Sequence, residues 1–351
     1  MKRGFVVGKF YPPHAGHFYL LETALQHCDE LTVVVSDHPE YKIPAEQRAA
    51  WLRRAFPTAR VITAKDTVDD NDSAAWARLT IRLMGGIKPD IVFTSEAYGK
   101  PWSEAIGCEH MLVDIDRTVF PCSGTAIREN PFAYWQYLNS DVRAYFALRI
   151  CVVGAESTGK TTLAKALAKH YDTVWVPEYG REFSERLPDM WNYVWKSKDF
   201  VTIAEAQAQL EDVAAGKANK VLLCDTDVFA TSIWHKRYMG VRSAAVEAIA
   251  AKRPAINLYI VPDPDTPFYQ DGFRDGEHTR AWMHEQFISS LQFWGKDYLQ
   301  VRGTPQERLA QATQVIDVLL EQGTGISGKE VHFQTPTSKR STTSKQVLVT
   351  T

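Results

Sequence analysis

The segment Gly154-Ala155-Glu156-Ser157-Thr158-Gly159-Lys160-Thr161 constrains the fold of this chain more than any other. It fits G-x-x-x-x-G-K-[ST], a pattern that a chain of 351 residues matches by chance in roughly one case in a hundred. An apolar run at 148–153 precedes it and a helical pattern at 160–170 follows, so a strand has to turn into a helix across it. Glycines let such a turn curl until several backbone N–H groups point at one centre, and the helix start adds about half a positive charge there. The result is a cradle for phosphate. Gly154, Glu156, Ser157, Thr158, Gly159, Lys160, Thr161 and Thr162 are the candidate contacts, with Lys160 reaching the β- and γ-phosphates of ATP and the Thr161 hydroxyl a ligand for Mg2+.

The loop begins far into the chain, and 351 residues exceed what one core usually holds, so a separate unit is expected ahead of it. Strand-like runs at 5–7, 31–35, 60–62, 91–94 and 111–113 alternate with helical patterns at 18–28, 45–56 and 74–84. An aromatic segment, 132–146, looks helical and ends this half. The rhythm restarts at 148, with strands at 174–176, 221–224, 258–261 and 298–301 and helices at 204–215, 228–238, 279–294 and 306–320. Two α/β units with parallel sheets follow from that alternation, joined near residue 147. Residues 323–351, rich in Gly, Ser, Thr and Lys, read as a disordered tail.

In the unit of the phosphate loop, Asp225 stands just beyond an apolar strand, where a carboxylate can orient Mg2+ or accept a hydroxyl proton, and Asp227 lies two residues on. Glu178 and Arg181 follow the second strand of this unit, at 174–176, on the carboxyl edge where open α/β sheets bind ligands. Surface carboxylates or an ordinary helix cap are the competing reading for these. The segment 267–275 carries Asp271-Gly272 beside Arg274 and reads either as a lid bringing a cation to the transferred phosphoryl group or as a surface loop.

A second unusual segment, GKFYPPHAGH at 8–17, crowds two histidines where a strand turns into a helix. Pro12 and Pro13 bar a regular helix before His14, and Gly16 permits close approach of backbone to ligand. His14 and His17 would face one cleft near a helix N-terminus, where imidazoles can donate hydrogen bonds to phosphate oxygens. A metal pair is the rival reading, but no third ligand is evident nearby. About a hundred residues on, CSGTAIREN at 122–130 places the Ser123 and Thr125 hydroxyls at a helix start, with Arg128 one turn inside. Two separated anion sites in one unit suit a triphosphate held at both ends.

The bulk numbers exclude more than they choose. Composition is 45% hydrophobic and 23% charged, and the net charge of −2 offers no general attraction to nucleic acid or an anionic membrane. No apolar run approaches the roughly 20 residues of a spanning helix. Five cysteines stand apart with no C-x-x-C pair, which argues against a zinc site or disulfide framework and for a cytoplasmic protein. A homo-oligomer is compatible with all of this.

The H-x-G-H element paired with SGTAIR resembles the adenylyl- and cytidylyltransferase superfamily. The fuller wording, GKFYPPHAGH with TSEAYG at 94–99 and FPCSGTAIR, resembles nicotinamide-mononucleotide (NMN) adenylyltransferase domains. Such a domain followed by a P-loop kinase resembles the bifunctional NadR family, over residues 3–320. The resemblance implies a Rossmann-like H-x-G-H nucleotidyltransferase domain at 1–147 and a P-loop ribosylnicotinamide kinase domain at 148–322. It implies phosphorylation of nicotinamide riboside to NMN, then NMN + ATP → NAD+ + pyrophosphate. His14, His17, Arg128, Lys160, Asp225 and Glu178 would be catalytic. Gly8, Lys9, Phe10, Ser123, Gly124 and Thr125 would join the contacts to ATP. Asp37, Tyr98, Trp102, Arg181, Asp227 and Arg274 would meet the nicotinamide substrates, with Trp102 as readily a core residue. Regulatory members of the family carry an N-terminal helix-turn-helix domain; this sequence begins at its first strand, so no repressor role is expected. A pantetheine-phosphate adenylyltransferase joined to a dephospho-CoA kinase would need the same two sites, but usually has Thr where this chain has His14. A metabolite sensor without turnover is the third possibility.

Overall fold

A computed structural model describes residues 1–69, 72–269 and 277–323. The chain divides into one unit over Met1–Val142 and a second that begins at Arg143. In the first, the elements run β1 (Arg3–Gly8), α1 (Ala15–His27), β2 (Glu30–Asp37), α2 (Ala45–Ala55), β3 (Arg60–Lys65), α3 (Ser73–Leu83), β4 (Ile91–Thr94), α4 (Gly99–Ile106), β5 (Glu109–Leu112) and α5 (Gly124–Glu129); α6 (Ser140–Phe146) spans the division. All strands are parallel, in the order β3-β2-β1-β4-β5. Val6 pairs with Val33 on one side and Phe5 with Val92 on the other. All four are buried, as central strands covered on both faces must be. One face packs on Leu20, Leu21, Ala49 and Leu52 of α1 and α2. The other packs on Ala77, Trp102 and Ile106 of α3 and α4. The chain builds outward from β1 through β2 and β3, then crosses back to lay β4 on the far side of β1. The crevice at the carboxyl ends of β1 and β4 is where such a sheet takes a ligand.

The second unit contains β6 (Leu148–Val152), α7 (Lys160–His170), β7 (Trp175–Val176), α8 (Tyr179–Glu185), α9 (Ser197–Ala215), β8 (Val221–Asp225), α10 (Val228–Met239), α11 (Ala244–Ala250), β9 (Leu258–Pro262), α12 (Arg280–Phe293), β10 (Tyr298–Val301) and α13 (Pro305–Gln322). Its sheet is also fully parallel, ordered β10-β9-β6-β8-β7, with every residue of β6, β8 and β9 buried. Both sheets are the parallel α/β layers the alternation called for. Among the described residues no helix is long and apolar enough to cross a membrane.

Three helices and part of a fourth were not legible. Helix α4 starts at Gly99 and has Pro101 in its first turn, which the missing amide there tolerates but which reads as a loop. Helices α8 and α11 are seven residues each, too short for a periodicity to register. Helix α9 begins at Ser197, two turns before its apolar pattern, because the Asp199 carboxylate accepts the Lys196 amide at 2.8 Å and caps it. Residues 132–146 are not one helix. Asn130 Oδ1 accepts the amides of Phe132 and Ala133 at 3.0 and 3.1 Å, holding a turn, and only Trp135–Tyr137 and α6 are helical. The expected lid lies outside the described residues from 270, including Arg274, as does the expected tail from 324.

Candidate functional site

The two distant motifs of the first unit meet at the β1–β4 crevice. His14 is the N-cap of α1 but its side chain caps nothing, so the first amides of the helix stay available. The His14 and His17 rings lie 3.8 Å apart, centre to centre, with Phe10 5.0 Å from His17. Cys122 Sγ stands 3.5 Å from His14 Nδ1. Arg128 Nη1 donates to the Tyr11 carbonyl at 2.5 Å, Nη2 donates to Thr125 Oγ1 at 3.1 Å, and the guanidinium covers the Tyr11 ring at 4.4 Å. The approach of α5 is so close that a Cβ at Gly124 would stand 2.6 Å from the Tyr11 oxygen, so only glycine fits. Ser123 caps α5 by accepting the Ala126 amide at 3.2 Å. His17 Nδ1 is buried with no hydrogen-bond partner among the described residues.

Both imidazoles are held neutral. Burial, then the nearby Arg117 cation, lowers His14 to about 4. Burial, His14 and Arg117 push His17 well below the usual histidine range. A neutral ring can still donate one N–H to an anion, and it becomes cationic more readily as negative charge arrives. An unfolded histidine titrates near 6.5, so between there and about 4 the unfolded chain binds more protons than the folded one. Stability is therefore lost as the pH falls through that window, by up to about 3 kcal/mol from His14. Hydrogen exchange of the β1 amides, followed down in pH, measures the loss; His14→Gln is expected to remove that part of the slope.

The remaining candidates of this unit separate cleanly. Phe10 is buried, so only its backbone faces the crevice; its φ is +43°. Gly8 ends β1, and Lys9 and Asp37 are exposed at the carboxyl edge. The Tyr98 hydroxyl donates to the Val7 carbonyl at 3.4 Å, close to that edge. Trp102 is corrected: it is 2% exposed, packs edge-on to Phe5 at 5.8 Å and donates its indole N–H to Thr80 at 3.3 Å. It is core, because α4 turns its apolar face to the sheet.

Sequence reasoning missed Arg48 of α2. It is fully buried, and its guanidinium donates to the carbonyls of Ile43 (3.0 Å), Ser36 (3.0 Å) and Lys9. Its remaining surface covers the Tyr11 and Tyr41 rings at 5.5 and 5.2 Å. Those contacts fix the loop through Lys9 and Tyr11 that leads to His14 and the start of α1. In sequence Arg48 looks like any charged residue on an amphipathic helix, and no local signal distinguishes it.

In the second unit the phosphate loop joins β6 to α7 as anticipated. Gly159 takes φ +84° and Ser157 +59°, the left-handed turn that aims the following amides inward. Lys160 is 8% exposed, and its ammonium donates to the Ala155 carbonyl at 3.0 Å, ready to exchange that partner for phosphate oxygen. Thr158 donates to the same carbonyl at 2.9 Å, and Thr162 is exposed on α7. The Arg308 guanidinium, from α13, braces the loop by donating to the Thr158 carbonyl at 2.5 Å. Arg280 donates to the Ser157 carbonyl at 2.9 Å. Neither arginine was identifiable from sequence.

Thr161 Oγ1 donates to Asp225 Oδ2 at 2.5 Å, and the buried Asp225 Oδ1 has no partner among the described residues. A hydroxyl beside a carboxylate with a spare oxygen is the donor set of a hard cation and fits Mg2+. Burial raises Asp225 against the pull of Lys160. Burial raises Glu178 to about 7, with Asp225 and Glu156 acting in the same direction against Lys160 and Arg181. The Glu156 carboxylate accepts from Arg237 at 3.2 Å.

A cavity of about 870 Å³ opens beside the loop, lined by Lys160, Thr161, Glu178, Arg181 and Asp225 at one end and by Trp191, Tyr193, Trp195, Trp234 and Tyr238 at the other. Arg181 is exposed and pairs with Glu185 at 2.9 Å. Asp227 is corrected: it does not line this cavity. Its side chain caps α10 by accepting the Ala230 amide at 2.9 Å and accepts the buried Tyr259 hydroxyl at 2.7 Å. Having both oxygens committed, it is a structural carboxylate.

A family model described as cytidylyltransferase-like matches residues 5–130, and one described as an AAA domain matches residues 149–308. The trifunctional NAD biosynthesis/regulator protein NadR of Escherichia coli K12 is 33% identical over 294 residues, covering 77% of this chain and 71% of its own. NadR of Salmonella typhimurium LT2 matches with the same figures. Among solved structures, a NadR protein in complex with NR shares 24% identity with a TM-score of 0.75. One with NAD and AMP-PNP shares 23% with a TM-score of 0.70. Each alignment covers 95% of this chain and 98% of the other.

Proposed function

The chain belongs to the NadR family, and we propose that it catalyses two ATP-dependent steps of NAD biosynthesis, riboside phosphorylation in residues 148–322 and NMN adenylylation in residues 1–147. One observation carries the reading: each parallel sheet has a strand-to-helix loop at its carboxyl edge, β1–α1 with His14 and β6–α7 leading to Lys160, and the second loop borders an aromatic-walled cavity.

In the adenylyl step, a phosphate oxygen of NMN attacks the α-phosphorus of ATP, the new P–O bond forms, and pyrophosphate leaves. The nucleophile is already an anion, so positioning and charge stabilisation suffice. The α1 amides, His14 and His17 hold the ATP phosphates; Thr125 and Arg128 hold the departing pyrophosphate from the other side of the crevice. Lys9 adds an exposed cation, while Asp37 and Tyr98 stand at the edge where the nicotinamide nucleotide enters. Arg48 positions this loop without touching substrate. Arg48→Met is expected to cut kcat for NAD+ formation by about 10²-fold through misplacement of the histidines. Riboside phosphorylation by the same chain, assayed in parallel, is expected to stay within about twofold.

In the kinase step, the riboside 5′-hydroxyl attacks the γ-phosphorus, its proton passes to a carboxylate, and ADP leaves. Lys160 and the loop amides hold the β- and γ-phosphates. Thr161 and Asp225 would hold Mg2+, which supplies charge neutralisation across those phosphates. Glu178 has the raised affinity for a proton that suits a base or a ribose hydrogen bond at neutral pH. The indole and phenol faces of the cavity attract the pyridinium ring, which carries a positive charge.

Incubation with ATP, Mg2+ and nicotinamide riboside should yield ADP and NMN; with NMN, NAD+ and pyrophosphate. Turnover of phosphopantetheine in place of NMN would overturn the assignment.

A further inference from the structure

Cys122 has no task in the reactions derived above, yet it reaches into the crevice of the first unit. It is 4% exposed, and its Sγ stands 3.5 Å from Nδ1 of His14, a residue 108 positions away. The Cys122 amide donates to the Phe120 carbonyl at 2.7 Å, and the next residue, Ser123, caps α5. Backbone on both sides therefore fixes where the sulfur lies.

The placement of protons gives this contact a direction. The Gly16 amide already donates to the same sulfur. The thiol has one proton of its own to place, and His14 Nδ1 is the acceptor beside it. Were Nδ1 protonated instead, two N–H groups would converge on one weak acceptor, and a buried S–H would be left with no partner. Burial raises the Cys122 thiol, against the Gly16 amide and Arg117, so it keeps its proton at neutral pH. The proton of the neutral imidazole is then on Nε2, since the bond made by one ring nitrogen sets the state of the other. His14 Nε2 makes no hydrogen bond among the described residues and, unlike His17 Nδ1, is not sealed from solvent.

Stacking alone does not secure that arrangement. His14 lies against His17 at 3.8 Å with the ring planes 36° apart, a contact the ring keeps when turned by half a revolution about its Cβ–Cγ bond. The turn exchanges Nε2 with Cε1 and carries the N–H away from its place. The other tautomer fails differently, because it presents a lone pair to the phosphate oxygens and repels them. We propose that Cys122 is a positioning residue of the adenylyl step: its S–H bond to Nδ1 holds His14 as the Nε2–H tautomer, with that proton facing the triphosphate. The inference rests on the adenylyl reading of this crevice. It gives the phosphates a donor that is oriented before ATP arrives.

Long-range 1H–15N spectra of the full chain at neutral pH, with the His14 signals identified by their loss in His14→Gln, read the tautomer directly. Nδ1 is expected to be bare and Nε2 protonated. Cys122→Ala is expected to give a mixture of tautomers and to lower kcat for NAD+ formation about fivefold, the worth of one neutral hydrogen bond, with KM for NMN unchanged. Cys122→Ser keeps a donor at the same place, so it should restore the single tautomer and bring kcat within about twofold of the parent. A parent ring protonated on Nδ1 would overturn the proposal. So would an unchanged tautomer in Cys122→Ala, or a serine variant no better than the alanine one. The spectra need no substrate. They decide the tautomer even if no NAD+ forms, which separates failure of this inference from failure of the adenylyl reading.

Discussion

Lys160→Ala is expected to reduce riboside phosphorylation by at least about 10³-fold while NAD+ formation from NMN continues near its original rate. Two effects add. The ammonium is held inside the loop by the Ala155 carbonyl at 3.0 Å, so it has only that one partner to exchange for the β- and γ-phosphates. It also offsets the buried carboxylates of Asp225 and Glu178, both already pushed upward by burial. Without it these groups take up protons more readily, and a protonated Asp225 is a poor ligand for Mg2+. The loss should therefore appear mainly in kcat, and high Mg2+ should recover little of it. Methionine at the same position keeps the stem and loses the charge, so it should behave as alanine does. Full retention of kinase activity in Lys160→Ala would remove the loop from the mechanism.

His17→Ala is expected to have the converse result, a loss of about 10²–10³ in NAD+ formation with riboside phosphorylation intact. His17 Nδ1 is buried and has no hydrogen-bond partner among the described residues, and burial keeps the ring neutral. Its contribution is then a placed hydrogen bond that strengthens as charge moves to the leaving pyrophosphate, which lowers kcat more than it raises KM when lost. His14, 3.8 Å away, cannot substitute, because its own Nδ1 lies against Cys122. If His17→Ala changed KM for ATP alone and left kcat untouched, the histidine would be a binding group and not a participant in the transition state.

Much of this was readable in the residues. The phosphate loop announces strand, turn and helix together, since its glycines and lysine serve no other common purpose. The buried parallel strands declare themselves as short unbroken apolar runs, and the strand ends fix which edge of each sheet holds chemistry. The meeting of His14 with Cys122, and of Tyr11 with Arg128, was implied only by two anion sites in one unit; nothing in spacing gives a contact across more than a hundred residues. Side chains whose work is tertiary were illegible. Arg48 and Arg308 look like surface cations, yet each is buried and donates to several carbonyls. Asp227 and Trp102 failed for the opposite reason. They stand near the right strand ends, but a helix cap and a tyrosine claim one, and the packing of α4 on the sheet claims the other.

The most direct test is the number of nucleotide sites. Calorimetric titration with a non-hydrolysable ATP analogue and Mg2+ should reach saturation at two equivalents per chain, falling to one in Lys160→Ala. Saturation at one equivalent in the parent chain, with none left in Lys160→Ala, would contradict the account.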